Sequence, residues 1–217
     1  MATETEPSRP PLTRARIVEA AVAIADNEGV DALSMRKLAR ELGYEVMSLY
    51  NHIANKDDLL DAMVDAVAAE IDTPSVDDEW KAAVRTIATS AHDALLRHPW
   101  ASALWSTRWP GPARLRHMES ILVALESAGL PATSVDMGFH AITMHVQGFT
   151  LQRLSFGLAD RLDDSAARFL REVPADEYPH LTRHVHYHLE GSSQPGAFGF
   201  VLDLILDGLE RARDTGR

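Results

Sequence analysis

The stretch that decides the fold is SMRKLARELGYEVMSLYNHIANKDDLL, residues 34–60. Ser34 can cap a short helix with one apolar face, and Gly43 can end that helix because glycine tolerates the turn that must follow. A second short helix is predicted from about 46 to 52. Two short helices joined by a glycine-containing turn form a helix-turn-helix, whose second helix can lie in the major groove of DNA.

The sequence on either side of this stretch completes a small helical domain. Thr13 can cap an earlier helix with helical spacing of its apolar residues, and Gly29 ends it. Asn55 can cap a fourth helix, where Asp58 can reach back to the backbone of the cap as in a capping box. The apolar pattern of this helix stops at residues 73–75, which predicts a domain boundary near residue 73.

Net charge and its distribution point in different directions. The chain of 217 residues carries a formal charge of −11, which by itself argues against a nucleic-acid partner. The window 34–56, however, has four basic and two acidic residues and is therefore +2, against −13 for the remainder. A small non-negative head on an acidic body is the asymmetry that a DNA-binding head would require.

Other bulk features exclude several classes of protein. The chain has no cysteine, so it forms no disulfide and no thiolate metal site. It has no apolar run of about 18 residues, and a transmembrane helix is not expected. Its polar N-terminus lacks the basic-then-apolar order of a signal peptide, so we expect a cytoplasmic protein.

Lys56 is placed unusually for a lysine with no function. It falls in the first turn of the fourth helix, where the helix dipole disfavours a cation by a few tenths of a kcal/mol. A phosphate would stabilise both the lysine and the free helix N-terminus beside it. The alternative is a solvent-exposed lysine, which costs little.

These residues resemble the N-terminal domain of TetR-type transcriptional regulators. The resemblance is carried by RARIVEAAVAIADNEG, LSMRKLARELGY and SLYNHIANKDDLLDAM, and covers about residues 12–64. It implies a three-helix DNA-binding head, a fourth linking helix and a helical body that binds a ligand and dimerises. HPWASALWSTRW, GPARLRHMESIL and FGFVLDLILDGLE resemble the body of the tetracycline-repressor-like subgroup.

The expected fold class is therefore all-α, because no alternating strand pattern occurs anywhere in the sequence. The expected domains are a disordered tail at 1–11, a helix-turn-helix DNA-binding domain at 12–55, a linking helix at 56–73 and a helical ligand-binding and dimerisation domain at 74–217. Within the last domain, residues 159–175 are polar and are expected to be mobile.

The resemblance also implies which residues contact DNA. The expected DNA-binding residues are Ser34, Arg36, Lys37, Glu45, Val46, Met47, Ser48, Tyr50, Asn51, His52 and Lys56. Of these, Arg36 and residues 45–48 are expected to reach bases, and Tyr50, His52 and Lys56 are expected to hold phosphates. An ordinary polar surface is the alternative for each residue taken singly.

Two positions depart from the tetracycline-repressor-like pattern. Met47 stands where that subgroup has a proline, and Asn51 stands where it has a tryptophan. The operator sequence therefore cannot be carried over. Val46 and Met47 offer apolar contact, for which thymine methyl groups are the natural partners.

A regulator of this family binds a palindromic operator as a homodimer, with half-sites about 34–36 Å apart. The expected dimer surface consists of helices 134–158 and 195–213. The second of these is apolar on every side, so it must be covered on every side, and a partner subunit is the simplest cover. Burial within one chain is the alternative.

The body is expected to bind a small apolar or amphipathic organic ligand that releases the repressor from DNA, with no cofactor. Aromatic, imidazole and thioether groups interrupt its apolar helices, as in small-molecule cavities. The expected ligand-binding residues are His92, Trp100, Trp105, His117, Met118, His140, Met144 and Gln147. Core packing is the alternative for each of them.

Other functions are compatible with parts of the sequence. His180, His184 and His188 repeat at four-residue spacing and could make the protein a metal-sensing regulator, although a solvated histidine-rich helix explains the same pattern. A helical metal-dependent hydrolase is disfavoured, because no nucleophile elbow, H-E-x-x-H or phosphate loop occurs. A purely structural dimer would not explain Lys56.

Overall fold

The structure is a computed structural model that describes residues 11–75, 77–156, 167–189 and 196–215. In these ranges the regular elements are helices and no strand occurs, which confirms the all-α expectation. The predicted tail at 1–11 lies, apart from Pro11, outside the described residues.

Four helices and a short 3-10 turn form the N-terminal part of the chain. They are α1 (Arg14–Glu28), the turn Val30–Ala32, α2 (Met35–Leu42), α3 (Val46–Tyr50) and α4 (Lys56–Ala68). Their inward-facing side chains are fully buried and include Ile17, Leu38, Leu49, Ile53, Leu59 and Met63. This shared core holds α2 and α3 against α1 and α4.

The helix starts follow from local chemistry. The side chains of Thr13, Ser34 and Asn55 accept backbone N–H bonds at the first turns of α1, α2 and α4, at 3.3, 3.2 and 2.9 Å. Gly43 ends α2 in the left-handed region at φ 70°, which a side chain would resist. The turn of the predicted helix-turn-helix is thereby fixed.

Further helices follow among the described residues. They are α5 (Trp80–Arg97), α6 (Pro99–Leu104), α7 (Pro112–Ser127), α8 (Ala132–Phe156), α9 (Pro179–Leu189) and α10 (Ala197–Thr215). Residues 167–172, within the segment 159–175 that was expected to be mobile, are also helical. Residues 159–166 lie outside the described residues.

The chain divides into two compact units whose limits differ from the predicted domains in the position of the boundary and in the membership of one segment. The first unit contains residues 1–69 and 97–115, and the second contains 70–96 and 116–217. The segment 97–115, which carries α6, therefore belongs with the head helices. Sequence alone had assigned it to the C-terminal domain.

Asp26 on α1 is one of the anchors that hold this segment. Its carboxylate accepts a hydrogen bond from the indole N–H of Trp100 at 2.6 Å and lies 2.8 Å from Nδ1 of His98. Trp100 itself is buried. The N-terminus of α6 is thus fixed to the first helix of the head.

Candidate DNA-binding surface and ring cluster

Helix α3 presents an exposed face above a buried anchor. Leu49 is fully buried, whereas Met47 is 73% exposed and Tyr50 is 42% exposed. Glu45, Asn51, His52 and Lys56 are also exposed, and Val46 and Ser48 are half-buried. The residues that were expected to contact DNA on and after α3 therefore share an accessible surface.

The basic residues of the head divide into two groups. Arg36, Arg40 and Lys56 are exposed, and no carboxylate of the described residues lies within ion-pair distance of them. The ammonium of Lys37, by contrast, binds the carboxylate of Glu28. Three cations of the head therefore remain available to phosphates.

Arg14 fixes the junction between α3 and α4. Its guanidinium donates to both carboxylate oxygens of Asp58 at 2.9 and 2.6 Å and to the carbonyl of His52 at 3.1 Å. The same carboxylate accepts the backbone N–H of Ala54 at 2.8 Å, so the expected return bond of the capping box goes to the residue before the cap. The Arg14 hydrogen bonds lower the pKa of Asp58 to about 2.

A row of carboxylates on α4 holds the segment 105–115. Asp57 accepts from the guanidinium of Arg108 at 2.6 Å, and Asp61 lies 3.8 Å from it. Asp65 accepts the backbone N–H groups of Ala113 and Arg114 at 3.2 and 2.9 Å. We call these contacts of α4 with residues 108–114 the α4 clasp.

Gly111 is required by the geometry of the α4 clasp. A β-carbon at this position would lie 2.4 Å from Cγ of Asp65. Arg114 closes the other side, because its guanidinium donates to the carbonyl of Arg108 at 2.8 Å and lies 5.0 Å from the ring centroid of Trp105. The N-terminus of α7 is thereby capped by a side chain of α4.

A ring cluster joins three helices of the second unit. The imidazoles of His92 on α5 and His145 on α8 both stack on Phe198 of α10, with centroids 4.3 and 4.6 Å away. Phe149 meets His92, His145 and Phe198 edge-on at 5.7, 5.5 and 5.5 Å. We call these four rings, His92, His145, Phe149 and Phe198, the ring cluster.

The hydrogen bonds of His92 fix its tautomer. The hydroxyl of Thr150 donates its only hydrogen to the carbonyl of Val146 at 2.6 Å, so it must accept from Nδ1 of His92, which lies 2.6 Å away. Nε2 is then unprotonated and accepts from the guanidinium of Arg153 at 3.3 Å. Burial, and next the charge of Arg153, lower the pKa of His92, which keeps the ring neutral.

Comparison with known proteins decides the family. Residues 17–63 match the family model described as bacterial regulatory proteins, tetR family, and residues 73–213 match the model described as tetracyclin repressor-like, C-terminal domain. The chain belongs to the TetR family. It is thus a DNA-binding transcriptional regulator and not an enzyme, as the sequence predicted.

Relatives cover nearly the whole TetR-family chain. The HTH-type transcriptional repressor DrrR1 of Streptomyces coeruleorubidus is 36% identical over 224 aligned residues, covering 96% of this chain and 82% of the relative. The crystal structure of apo ActR from Streptomyces coelicolor has a TM-score of 0.81 at 31% identity, covering 96% and 99% of the two chains. ActR has also been solved with actinorhodin. BioQ in complex with its double-stranded DNA operator has a TM-score of 0.67 at 26% identity, covering 93% and 99%.

The structure distributes the expected ligand-binding residues of this TetR-family chain over different surroundings. Trp100 and Trp105 are buried within the first unit. Met144 is 70% exposed and His140 is also exposed, so neither lines an interior surface of the second unit. His92 alone of the eight belongs to the ring cluster.

The remaining members of that set are half-buried in the second unit. They are His117 and Met118 on α7 and Gln147 on α8. Sequence reasoning left Phe149, Thr150, Arg153 and Phe198 out of the set. The four-residue spacing of His145, Phe149 and Arg153 along α8 is the signal that could have indicated three of the neighbouring groups.

An apolar face of α8 and α10 is left uncovered by the parts of the chain that the structure describes. Met137, Met144 and Leu151 repeat every seven residues along α8 and are 69, 70 and 51% exposed. Phe200 and Leu204 on α10 are 62 and 53% exposed. We call these five side chains the α8/α10 face. On the opposite side of α10, Phe198, Leu202 and Leu206 are buried.

Close approach of helices within the described residues occurs at Gly138. A β-carbon at Gly138 would lie 3.0 Å from a methyl group of Leu209, so α8 and α10 pack tightly there. A β-carbon added at Gly199 would meet no further group within 4 Å, and one added at Gly208 would meet only the guanidinium of Arg211 at 3.9 Å. These two glycines are not needed for packing inside the described part of one chain.

Metal and membrane sites are absent from the parts of the chain that the structure describes. No group of three or more His, Asp or Glu side chains is arranged there to hold a metal ion. Of the expected histidine row, His180 and His184 lie on α9, and the side chain of His188 is outside the described residues. None of the described helices combines the length and hydropathy that a membrane span requires.

Proposed function

We propose that this TetR-family regulator is a repressor that binds a palindromic operator as a homodimer and is released by a small organic ligand. The observation that supports it most strongly is the exposed face of α3 beside three unpaired cations of the described head, in a chain with a net charge of −11. DrrR1 is named a repressor, and BioQ was solved on operator DNA. A cytoplasmic location is part of the same proposal.

The face of α3 divides into base-reading and phosphate-holding groups. Met47 is the most exposed apolar group on this helix, and with Val46 it offers contact to thymine methyls. Tyr50, His52 and Lys56 hold phosphates at the N-terminus of α4, where backbone N–H groups also favour an anion. Asn51, which is exposed between Tyr50 and His52 in the sequence, belongs to the same proposed DNA-binding surface.

In addition to Val46 and Met47, the residues proposed to contact bases are Arg36, Glu45 and Ser48. The side chains of Ser34 and Lys37 have roles within the head, as a cap and as an ion pair with Glu28. The Ser34 hydroxyl and the Lys37 ammonium can therefore contact DNA only with the hydrogen-bonding capacity that these two interactions do not use.

Dimerisation is proposed through helices α8 and α10, corresponding to the expected surfaces 134–158 and 195–213. The α8/α10 face would leave large apolar groups in water in a monomer, which is unusual for a contiguous set of this kind. A second copy would cover it, and Gly199 and Gly208 leave room for the backbone of a partner helix. Each dimer then presents two α3 helices to two half-sites.

Release by ligand requires that the ligand bind one orientation of the head more tightly than another. Helix α7 begins at the α4 clasp, within the first unit, and continues as part of the second unit. A ligand bound in the second unit can therefore act on α4 through a continuous helix. We place the ligand at the ring cluster, among the few polar groups of an apolar interior.

Selection of bound duplexes from a random pool tests this function. We expect a two-fold symmetric sequence with half-sites about one helical turn apart. Lys56→Ala should weaken binding to all sequences alike and reduce the slope of log K against log salt by about one. Arg116→Ala is the matched control, because Arg116 is exposed in the second unit. Enrichment of no symmetric sequence would contradict the proposal.

A further inference from the structure

One face of α8 carries a row of side chains at the accessible edge of the ring cluster. His145 and Phe149 are half-buried and Arg153 is exposed. Spacing of four residues places them on the same side of the helix, over about 12 Å at a rise of 1.5 Å per residue. His92 and Phe198 are buried behind this row. We call His145, Phe149 and Arg153 the α8 row.

The ring contacts of the cluster favour a flat aromatic guest. Phe149 stands at 75° to Phe198 and at 60° to His145, so faces and edges of rings meet throughout the cluster. Aromatic rings attract one another in such offset and edge-to-face arrangements. Because Phe149 and His145 are not fully buried, they can extend the same arrangement to a ring from outside the chain.

Arg153 gives the α8 row a positive charge that no carboxylate of the described residues neutralises. Its one hydrogen bond in the structure goes to Nε2 of neutral His92, and no carboxylate among the described residues lies within ion-pair distance. Two other arginines of the same unit have carboxylate partners: Arg85 pairs with Asp203 at 2.7 Å and Arg213 with Asp214 at 3.0 Å. A guanidinium has five N–H donors, and its fork matches a carboxylate.

Resting on the proposed ligand-released repressor, we propose that the α8 row recognises a planar aromatic acid. The rings of the ligand lie against Phe149 and His145, and its carboxylate accepts two N–H bonds from Arg153. His92 positions the guanidinium through Nε2, and Thr150 holds His92 in the tautomer that allows this. The proposed ligand is therefore an anion. The net negative charge of the chain does not oppose its binding, because charges beyond about 8 Å are screened at physiological salt.

Two fluorescent probes that differ only in charge test the inference on the full-length protein. They are 9-anthracenecarboxylate and the uncharged 9-anthracenemethanol, titrated by fluorescence at neutral pH. The wild type should bind the carboxylate about tenfold more tightly than the alcohol, as charged hydrogen bonds lead us to expect. The carboxylate should also displace the protein from the selected duplex.

Three variants locate the effect. Arg153→Gln should bring the two affinities to the same value, whereas Arg116→Gln, which removes an exposed arginine on α7, should preserve the preference. Phe149→Leu should weaken both probes alike. Each variant is checked for unchanged helical circular dichroism and unchanged affinity for the selected duplex, so that misfolding is distinguished from loss of recognition.

Equal affinity for the two probes, no binding of either probe, or a preference that survives in Arg153→Gln would overturn the inference. Binding of the selected duplex by the same wild-type preparation shows in each case that the proposed DNA-binding function stands. Loss of that duplex binding in the wild type would instead contradict the proposed function itself.

Discussion

Substitution of Gly111 by alanine should loosen the α4 clasp, because the added β-carbon would collide with the side chain of Asp65. The added β-carbon would lie 2.4 Å from Cγ of Asp65 and 2.6 and 2.7 Å from its two oxygens. Such distances are not tolerated, so the carboxylate must move and release the N–H groups of Ala113 and Arg114. These are the bonds that cap the N-terminus of α7.

The magnitude follows from the role of Asp65 as a cap. Loss of a capping side chain costs about 0.5–2 kcal/mol. Replacement of glycine by alanine would by itself restrict the unfolded chain and stabilise the fold by about 0.4–1 kcal/mol where the conformation permits it. We therefore expect Gly111→Ala to destabilise the protein by about 0.5 kcal/mol, the difference between the mid-range values of these two effects.

A double-mutant cycle is the appropriate assay. Urea unfolding is followed by tryptophan fluorescence, to which Trp100, Trp105 and Trp109 of the first unit contribute three of the four indoles. It is measured at one protein concentration for the wild type, Gly111→Ala, Asp65→Ala and the double variant. In the Asp65→Ala background the obstacle is gone, so Gly111→Ala should there be neutral or stabilising. Equal destabilisation in both backgrounds would refute the proposed contact between Gly111 and Asp65.

Three further outcomes are expected. Arg14→Gln should lower the free energy of unfolding by about 1 kcal/mol at neutral pH, after allowance for the partial exposure of the Arg14–Asp58 pair. The difference in urea midpoint between wild type and variant should vanish as the pH falls from 3.8 towards 2, because Asp58 is then protonated also in the folded state, where its pKa is about 2. Because burial lowers the pKa of His92 below 6.5, wild-type stability should be complete above pH 6.5 and decline below it, and His92→Gln should show a smaller decline in the same urea series. Met144→Glu should yield monomers in sedimentation, whereas Val123→Glu, at a comparably sized exposed apolar site on α7, should remain dimeric.

The head could be predicted in detail because its structure depends on nearby residues. Ser34 and Asn55 each cap a helix by a bond to a backbone N–H three positions on, and Gly43 ends α2 within the same short window. Such contacts are visible in sequence as residue type and spacing. The spacing of Tyr50, His52 and Lys56 was readable for the same reason.

The surroundings of the expected ligand-binding residues depend on contacts between residues that are distant in the sequence. Trp100 was assigned to a ligand site because aromatic residues line such cavities, but its indole N–H is bound by Asp26, 74 positions away in the chain. A tryptophan whose polar handle is satisfied in this way is a packing residue. No local pattern identifies Asp26 as the partner.

The ring cluster was missed for a related reason. The state of His92 follows from hydrogen bonds to Thr150 and Arg153, which are 58 and 61 positions away. A sequence offers many histidines and arginines, and it does not tell which of them meet. Only the packed arrangement of α5 and α8 shows that the imidazole of His92 is neutral and that the guanidinium of Arg153 meets this imidazole, with no carboxylate of the described ranges in ion-pair distance.

The most direct test of the central claim is the affinity of the purified protein for the selected palindrome as a function of half-site spacing. Two α3 helices related by a two-fold axis should bind half-sites about one turn apart, on one face of the duplex. Insertion of about five base pairs between the half-sites rotates one of them to the opposite face. We predict that affinity then falls to that of a single half-site, and unchanged affinity would contradict the account.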